Sequence, residues 1–241
     1  MRQILMRHAL MRHALMRRIL GLFACVVISA PAFSAGLDSI SNSDATSGLR
    51  QALTDGSAAA VSLLGKENGF FGNPRVKIPL PPSMQRVESA MRMMGMRKQA
   101  DELVLSMNRA AEAAVPEAKA LLVDSVKKMS VQDAKGILTG GDTAATEYFK
   151  RTTQAQLTQR FLPIVRKATE RVGLAQQYNN LAAQGAQFGL VKQDDATIES
   201  YVTRKALDGL YLMIAEQEKA FRTNPVGASS DIVKKVFGAL R

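Results

Sequence analysis

One stretch of this chain cannot be helical, and it interrupts a sequence that otherwise reads as helix. It runs Glu67-Asn68-Gly69-Phe70-Phe71-Gly72-Asn73-Pro74-Arg75-Val76-Lys77-Ile78-Pro79-Leu80-Pro81-Pro82. Each proline removes a backbone donor and pushes the residue before it toward extended conformations, while the glycines and asparagines favour turns. Val76, Ile78 and Leu80 alternate with Lys77 and Pro79, so one side of the segment is apolar. The expectation is a turn followed by an ordered extended arm over residues 68–82. Any fold for this chain must find a place to lay that arm.

The rest shows helical spacing with recognisable stops. Residues 43–64 are rich in Ala and Leu and end at Gly65. Ser83 is placed to cap a helix over 84–94 that Gly95 closes, and a further helix covers 97–114, with Pro116 opening or kinking a continuation to 129. Ser130-Val131-Gln132-Asp133 has the form of a capping box with Asp in its last position. It predicts a short helix that ends at Gly140-Gly141. Asp142 is read as the cap of a helix over 143–172 that carries Pro163, followed by a shorter helix over 174–183. Asp194 or Asp195 opens a long helix to Arg222 that Asn224-Pro225 stops, and Ser229 or Ser230 caps a last one to Leu240. No run of alternating strands separated by turns suggests a sandwich or barrel. The expected fold is all-α, a multi-helix bundle-like domain over residues 43–241 with one extended Gly/Pro-rich arm.

The first residues have a different logic. Residues 1–20 form four pentads that begin Met-Arg, with five arginines and no acid. An apolar run from Ile19 to Ala30 follows, and then Pro31-Ala32-Phe33-Ser34-Ala35. This order of charge, apolar core and small residues is that of a secretory signal peptide over residues 1–35. Ala30-Pro31-Ala32 satisfies the small-residue rule for cleavage after Ala32, and cleavage after Ala35 leaves a start at Gly36-Leu37-Asp38. A spanning helix needs about 20 apolar residues, more than this run supplies before Pro31. Met16 onward is already a complete signal peptide, which makes Met16 an alternative start. Leu22-Phe23-Ala24-Cys25 loosely resembles a lipoprotein acylation box, although Val26-Val27-Ile28 carries the apolar run past Cys25. Residues 36–42 read as a flexible beginning to an exported, periplasmic protein.

Removal of the leader changes the chemistry that is available. Both histidines, His8 and His13, and the single cysteine, Cys25, lie within it, and the chain has no tryptophan. No disulfide can form in the remaining chain, so its stability must come from packing. The five leader arginines account for five of the eleven net positive charges; 27 basic and 21 acidic residues remain, a net +6. Those cations come in scattered pairs, and several have acids one helical turn away, as in Glu147/Arg151, Arg166/Glu170 and Glu218/Arg222. That pattern suggests solvated helix faces rather than a nucleic-acid surface.

Several segments together resemble a known family. In order they are Gly69-Phe70, Val76-Lys77-Ile78-Pro79-Leu80-Pro81, Asn108-Arg109-Ala110-Ala111-Glu112, Ala144-Ala145-Thr146-Glu147-Tyr148-Phe149, Tyr201-Val202, Ala206-Leu207-Asp208-Gly209-Leu210, Asn224-Pro225 and Val236-Phe237-Gly238. The chain resembles, over about residues 37–240, the proteobacterial family known as domain of unknown function 4197. The resemblance implies an exported helical protein and brings no catalytic residues with it.

The candidates for function are therefore drawn from the residues alone. On the arm, Phe70 and Phe71 are read as walls of a pocket and Lys77 as a contact for an anionic ligand. The alternative is that the apolar arm residues simply dock on the helices. Asn108, Arg109 and Glu112 share a helix face at spacings of three and four, where they would hold a polar ligand or tie two helices together. Met84, Val87, Met91 and Met94 step as an apolar helix face, although Met91, Met94 and Met96 are also the soft donors that would suit Cu(I). Without histidine or cysteine, nucleophile–base pairs are excluded and zinc would need carboxylates only. Paired carboxylates acting on envelope glycans remain a route, with Glu112, Asp142, Glu147, Asp208 and Glu216 as candidate acids. The leading expectation is a non-enzymatic periplasmic protein that binds an envelope protein or a small apolar or anionic ligand through the arm, with no metal, cofactor, nucleic acid or transmembrane segment in its mature form.

Overall fold

A computed structural model describes residues 41–85, 88–187, 196–225 and 230–239. The predicted leader with Cys25, both expected cleavage positions and the start of the predicted flexible segment lie outside the described residues, as do Asp194, Asp195 and Ser229. All described secondary structure is helical: α1 (Asn42–Leu64), α2 (Pro82–Gln85), α3 (Glu88–Met93), α4 (Arg97–Ala114), a 3₁₀ turn (Val115–Glu117), α5 (Ala118–Lys128), α6 (Val131–Thr139), α7 (Ala144–Thr169), α8 (Gly173–Gln187), α9 (Ile198–Thr223) and α10 (Asp231–Gly238). The fold is all-α, as expected.

Local chemistry accounts for most of the boundaries. The Ser41 hydroxyl accepts the Asp44 N–H and starts α1. Ser130 and Asp133 form both halves of the capping box ahead of α6. Pro116 sits in the 3₁₀ turn that joins α4 to α5, where its missing N–H costs little. After α3 the chain closes in a Schellman arrangement: Met96 N–H bonds to Met91 C=O and Gly95 N–H to Arg92 C=O, with Gly95 at φ 75°.

Several boundaries differ from the sequence reading. The helix expected over 84–94 is present as α2 and α3, and α2 starts at Pro82, before Ser83. Thr197, rather than an upstream aspartate, caps α9 by accepting the Ser200 N–H. Gly65 ends α1 as expected, although with a right-handed φ of −79°. Asp142 does not cap α7. Its first free N–H groups, those of Ala145 and Thr146, donate at 3.0 Å to the two carboxylate oxygens of Glu218 on α9. Glu218 also takes Arg222 at 2.9 Å, and Arg222 donates onward to the Ile137 carbonyl. The pair read as a solvated face is therefore buried, with side chains only 3% and 12% exposed.

The long helices α7 and α9 run antiparallel through the core: Thr146 meets Glu218, Thr153 meets Tyr211 and Thr169 meets Glu199. The buried stripe of α7 steps by four through Ala145, Phe149, Thr153, Leu157, Phe161 and Val165. In contrast, α9 is buried around most of its circumference because α1, α4, α7, α8 and α10 all pack on it. The methionine face is shorter than the spacing predicts. Met84 and Met91 are buried, whereas Met94 stands in solvent. Val87 is outside the described residues. Among the described residues, no helix is long and apolar enough to cross a membrane.

Candidate functional site

The arm lies on α4 and α9. After α1 the chain turns sharply at Asn68, which adopts φ 64°, and Gly69 packs so close to the end of α1 that a Cβ would come 2.4 Å from the Leu64 carbonyl oxygen. The turn delivers Phe70 into the core, where it is fully buried. Its ring fits because residue 209 of α9 is glycine; a Cβ there would stand 2.7 Å from Phe70 Cε1 and 3.3 Å from Val76 Cβ. Val76 falls in a second turn, and the extended run is 77–81. Ile78 and Leu80 point inward and are buried, while Lys77 and Pro79 face out.

All six residues singled out from the sequence meet at this junction. Glu112 Oε1 accepts the Phe70 and Phe71 N–H groups, each at 3.0 Å. Its other oxygen accepts from Arg109 Nη1 at 2.6 Å. Arg109 Nη2 donates to Glu67 at 3.1 Å and Asn68 at 3.0 Å, drawing the turn onto α4. Asn108 Oδ1 accepts the Ile78 N–H and its amide donates to the Ile78 C=O, both at 2.8 Å. The Asn108 amide also returns a bond to Val104 C=O within α4. Tyr201 of α9 donates to the Pro79 carbonyl at 3.2 Å. Phe71 is half-buried and carries Lys77 Nζ 4.2 Å above its ring, with the Arg109 guanidinium 5.9 Å away.

This arrangement ties the arm down with buried, satisfied groups. Asn108 and Glu112 direct most of their hydrogen bonds to the arm's own backbone and the rest to Val104 and Arg109, so a ligand at either would compete with existing bonds. The arm also offers little to an added strand. Ile78 faces α4, Pro79 has no N–H, and the Lys77 N–H already donates to Asn73 C=O at 2.9 Å. Lys77 with Phe71 is the part of the junction that faces solvent.

A second feature escaped the sequence reading. Between α7 and α9 runs a groove of about 580 Å³, within the usual size of small-molecule sites. Gln154 and Thr158 line it from α7, and Thr203, Leu207 and Tyr211 from α9, with Lys150 and Arg204 among its cations. Thr203 is buried, and its hydroxyl has no hydrogen-bond partner in the structure. Thr153 donates its one proton to the Phe149 carbonyl at 2.7 Å, which leaves Tyr211 to donate into the Thr153 oxygen at 3.0 Å. Burial pushes the Tyr211 phenol up to about 12 despite that hydrogen bond, so it stays neutral. Threonine and tyrosine on helices are ordinary core residues in a sequence, and only the packing of α7 on α9 reveals one without a partner.

A family profile described as "Protein of unknown function (DUF4197)" matches residues 39–238. The chain belongs to this family. No curated protein and no solved structure matches it. The family therefore supplies a span, and the chemistry must be read from the side chains.

Most of the candidate acids have a cationic partner in this DUF4197 fold. Glu112 binds the arm, Glu147 pairs with Lys150 at 2.9 Å, Asp208 with Arg204 at 3.7 Å, and Glu216 with Arg75, while Asp142 is exposed ahead of α7. Among the described residues, no three His, Cys, Asp or Glu side chains gather as a metal site.

Proposed function

We propose that this protein is a non-enzymatic binding protein of the periplasm whose ligand is a small organic anion held between α7 and α9. The leader's arginines, apolar core and small-residue end support export. The observation that carries the binding reading is the Thr203 hydroxyl, buried on the wall of the groove without a partner. An unmet buried polar group costs about 1–3 kcal/mol, and a ligand that accepts from it removes that cost. Lys150 and Arg204 outnumber Asp208 among the charged residues that line the groove, which gives it a preference for anions. Lys150 pairs with Glu147 on its own helix, but an ammonium carries three donors, more than one carboxylate takes.

Native mass spectrometry of the mature protein purified from its own periplasm tests this reading. The expected result is a retained small anion that Thr203→Val loses while its circular dichroism is unchanged. Thr203→Val should also raise the stability of the ligand-free protein by about 1 kcal/mol, because valine fills the same volume without the unmet hydroxyl. A wild-type protein that carries no small molecule, or a variant that retains it fully, would overturn the proposal.

A further inference from the structure

The turn between α3 and α4 sorts its side chains by distance from its tip. Met93 is 89% exposed and Met94 68%, although both are large apolar residues. Their neighbours Met91 and Met96 turn the other way; Met91 is buried, and Met96 packs against the core. The Schellman bonds from Met96 and Gly95 hold this division in place, so the outward methionines are displayed by a defined turn. Gly95 sits at the apex with φ 75°, and a Cβ there would meet no atom within 4 Å. Arg97 and Lys98 lie within three residues of Gly95 and are exposed, whereas Asp101 and Glu102 lie about a turn farther along α4. Asp101 faces Arg97 only at 3.8 Å, through exposed side chains, so the pairing is weak.

An apolar apex flanked by the exposed cations Arg97 and Lys98 complements one kind of surface, a bilayer rich in anionic phospholipid. There the thioether side chains enter the boundary between headgroups and acyl chains while Arg97 and Lys98 meet phosphates. Methionine suits this task, since its flexible side chain adapts to an irregular surface. We propose that the α3–α4 turn docks the protein reversibly on anionic membrane surfaces. Two methionines and two cations give a weak contact that salt reverses, unlike a spanning helix. The proposal does not depend on the groove between α7 and α9.

Co-sedimentation of the full mature protein with vesicles decides it. Phosphatidylcholine vesicles are compared with phosphatidylcholine/phosphatidylglycerol vesicles. The protein should pellet with the anionic vesicles and come off as salt is raised. Arg97→Glu/Lys98→Glu should lower the bound fraction on the order of tenfold, and Met93→Ser/Met94→Ser should lower it several-fold. Both methionines are exposed, so the serine variant should unfold at the wild-type temperature, which separates lost docking from lost folding. Lys127→Glu/Lys128→Glu on α5 changes net charge equally and should keep most of the binding. The proposal is overturned by failure to bind anionic vesicles, by equal binding to neutral ones, or by equal loss in the α5 variant. Retained binding in the serine variant would overturn the role of the methionines, and with it the insertion of the turn.

Discussion

Asn108 treats Ile78 as a neighbouring β-strand would: its side-chain oxygen accepts the Ile78 N–H and its side-chain amide donates to the Ile78 C=O, each at 2.8 Å. One carboxamide thus satisfies both backbone groups of a buried residue in an arm that joins no sheet among the described residues. This bond pair is why an extended segment can lie inside a helical protein, since unpaired backbone groups there would be costly.

Asn108→Ala should therefore destabilise the protein by about 2–4 kcal/mol, because two buried backbone groups lose their partner. Asn108→Asp should be at least as harmful, since it sets an acceptor against the Ile78 and Val104 carbonyls. Urea unfolding of the three proteins measures the difference. A loss below about 0.5 kcal/mol for alanine would show that the clasp contributes little.

Glu218 has a comparable role at the start of α7. Glu218→Ala removes the acceptor for two helix N–H groups and leaves Arg222 nearly buried without its carboxylate. The expected loss is about 3–5 kcal/mol. Glu218→Gln keeps one oxygen for the helix end and should recover part of it. Thermal unfolding should rank wild type above Gln and Gln above Ala.

Gly209→Ala adds a single methyl group where Phe70 stands 2.7 Å away. Overpacking of this kind costs about 1–3 kcal/mol. Pairing the change with Phe70→Leu should restore part of the loss, and a double-mutant cycle in urea would read that coupling directly.

Lys77→Ala should leave the melting temperature nearly unchanged. Its exposed contact with Phe71 is worth about 0.5–1 kcal/mol at most. A drop of several kcal/mol would make Lys77 a structural tie.

Tyr211 gives a dependence on alkaline pH. Its phenol is raised from 10.0 to about 12 in the fold. Below 10.0 the group is neutral in both folded and unfolded chains. As pH rises past 10.0 the unfolded chain ionises first, so stability falls between 10.0 and about 12. Tyr211→Phe should lose that part of the alkaline destabilisation, and denaturant titrations across this range would detect it. Asp133 works in the opposite direction. Its bonds to the Ser130 hydroxyl and N–H hold its carboxyl below 3.8, so its contribution is present above 3.8 and fades as pH falls through the lowered value.

Much of the helical layout was legible in sequence because the signals act within one turn. Ser130 and Asp133 are three residues apart, Gly95 closes α3 through bonds to the preceding turn, and Pro116 marks its own junction. The grouping of Asn108, Arg109 and Glu112 was legible for the same reason, since helix periodicity places them on one face. What they hold was not. Their partners Ile78, Phe70 and Phe71 lie 30, 42 and 41 residues away.

Composition and local spacing alone determined that this protein is all-α, that one segment must be extended, and that residues 36–241 contain no cysteine, histidine or tryptophan. Only the tertiary structure decided that Glu218 rather than Asp142 caps α7, that Met93 and Met94 face outward, and that Thr203 lines a groove with no partner. The reason is physical. A cap, a turn or an apolar period is set by neighbours along the backbone, whereas the satisfaction of a buried polar group depends on which helix packing brings against it.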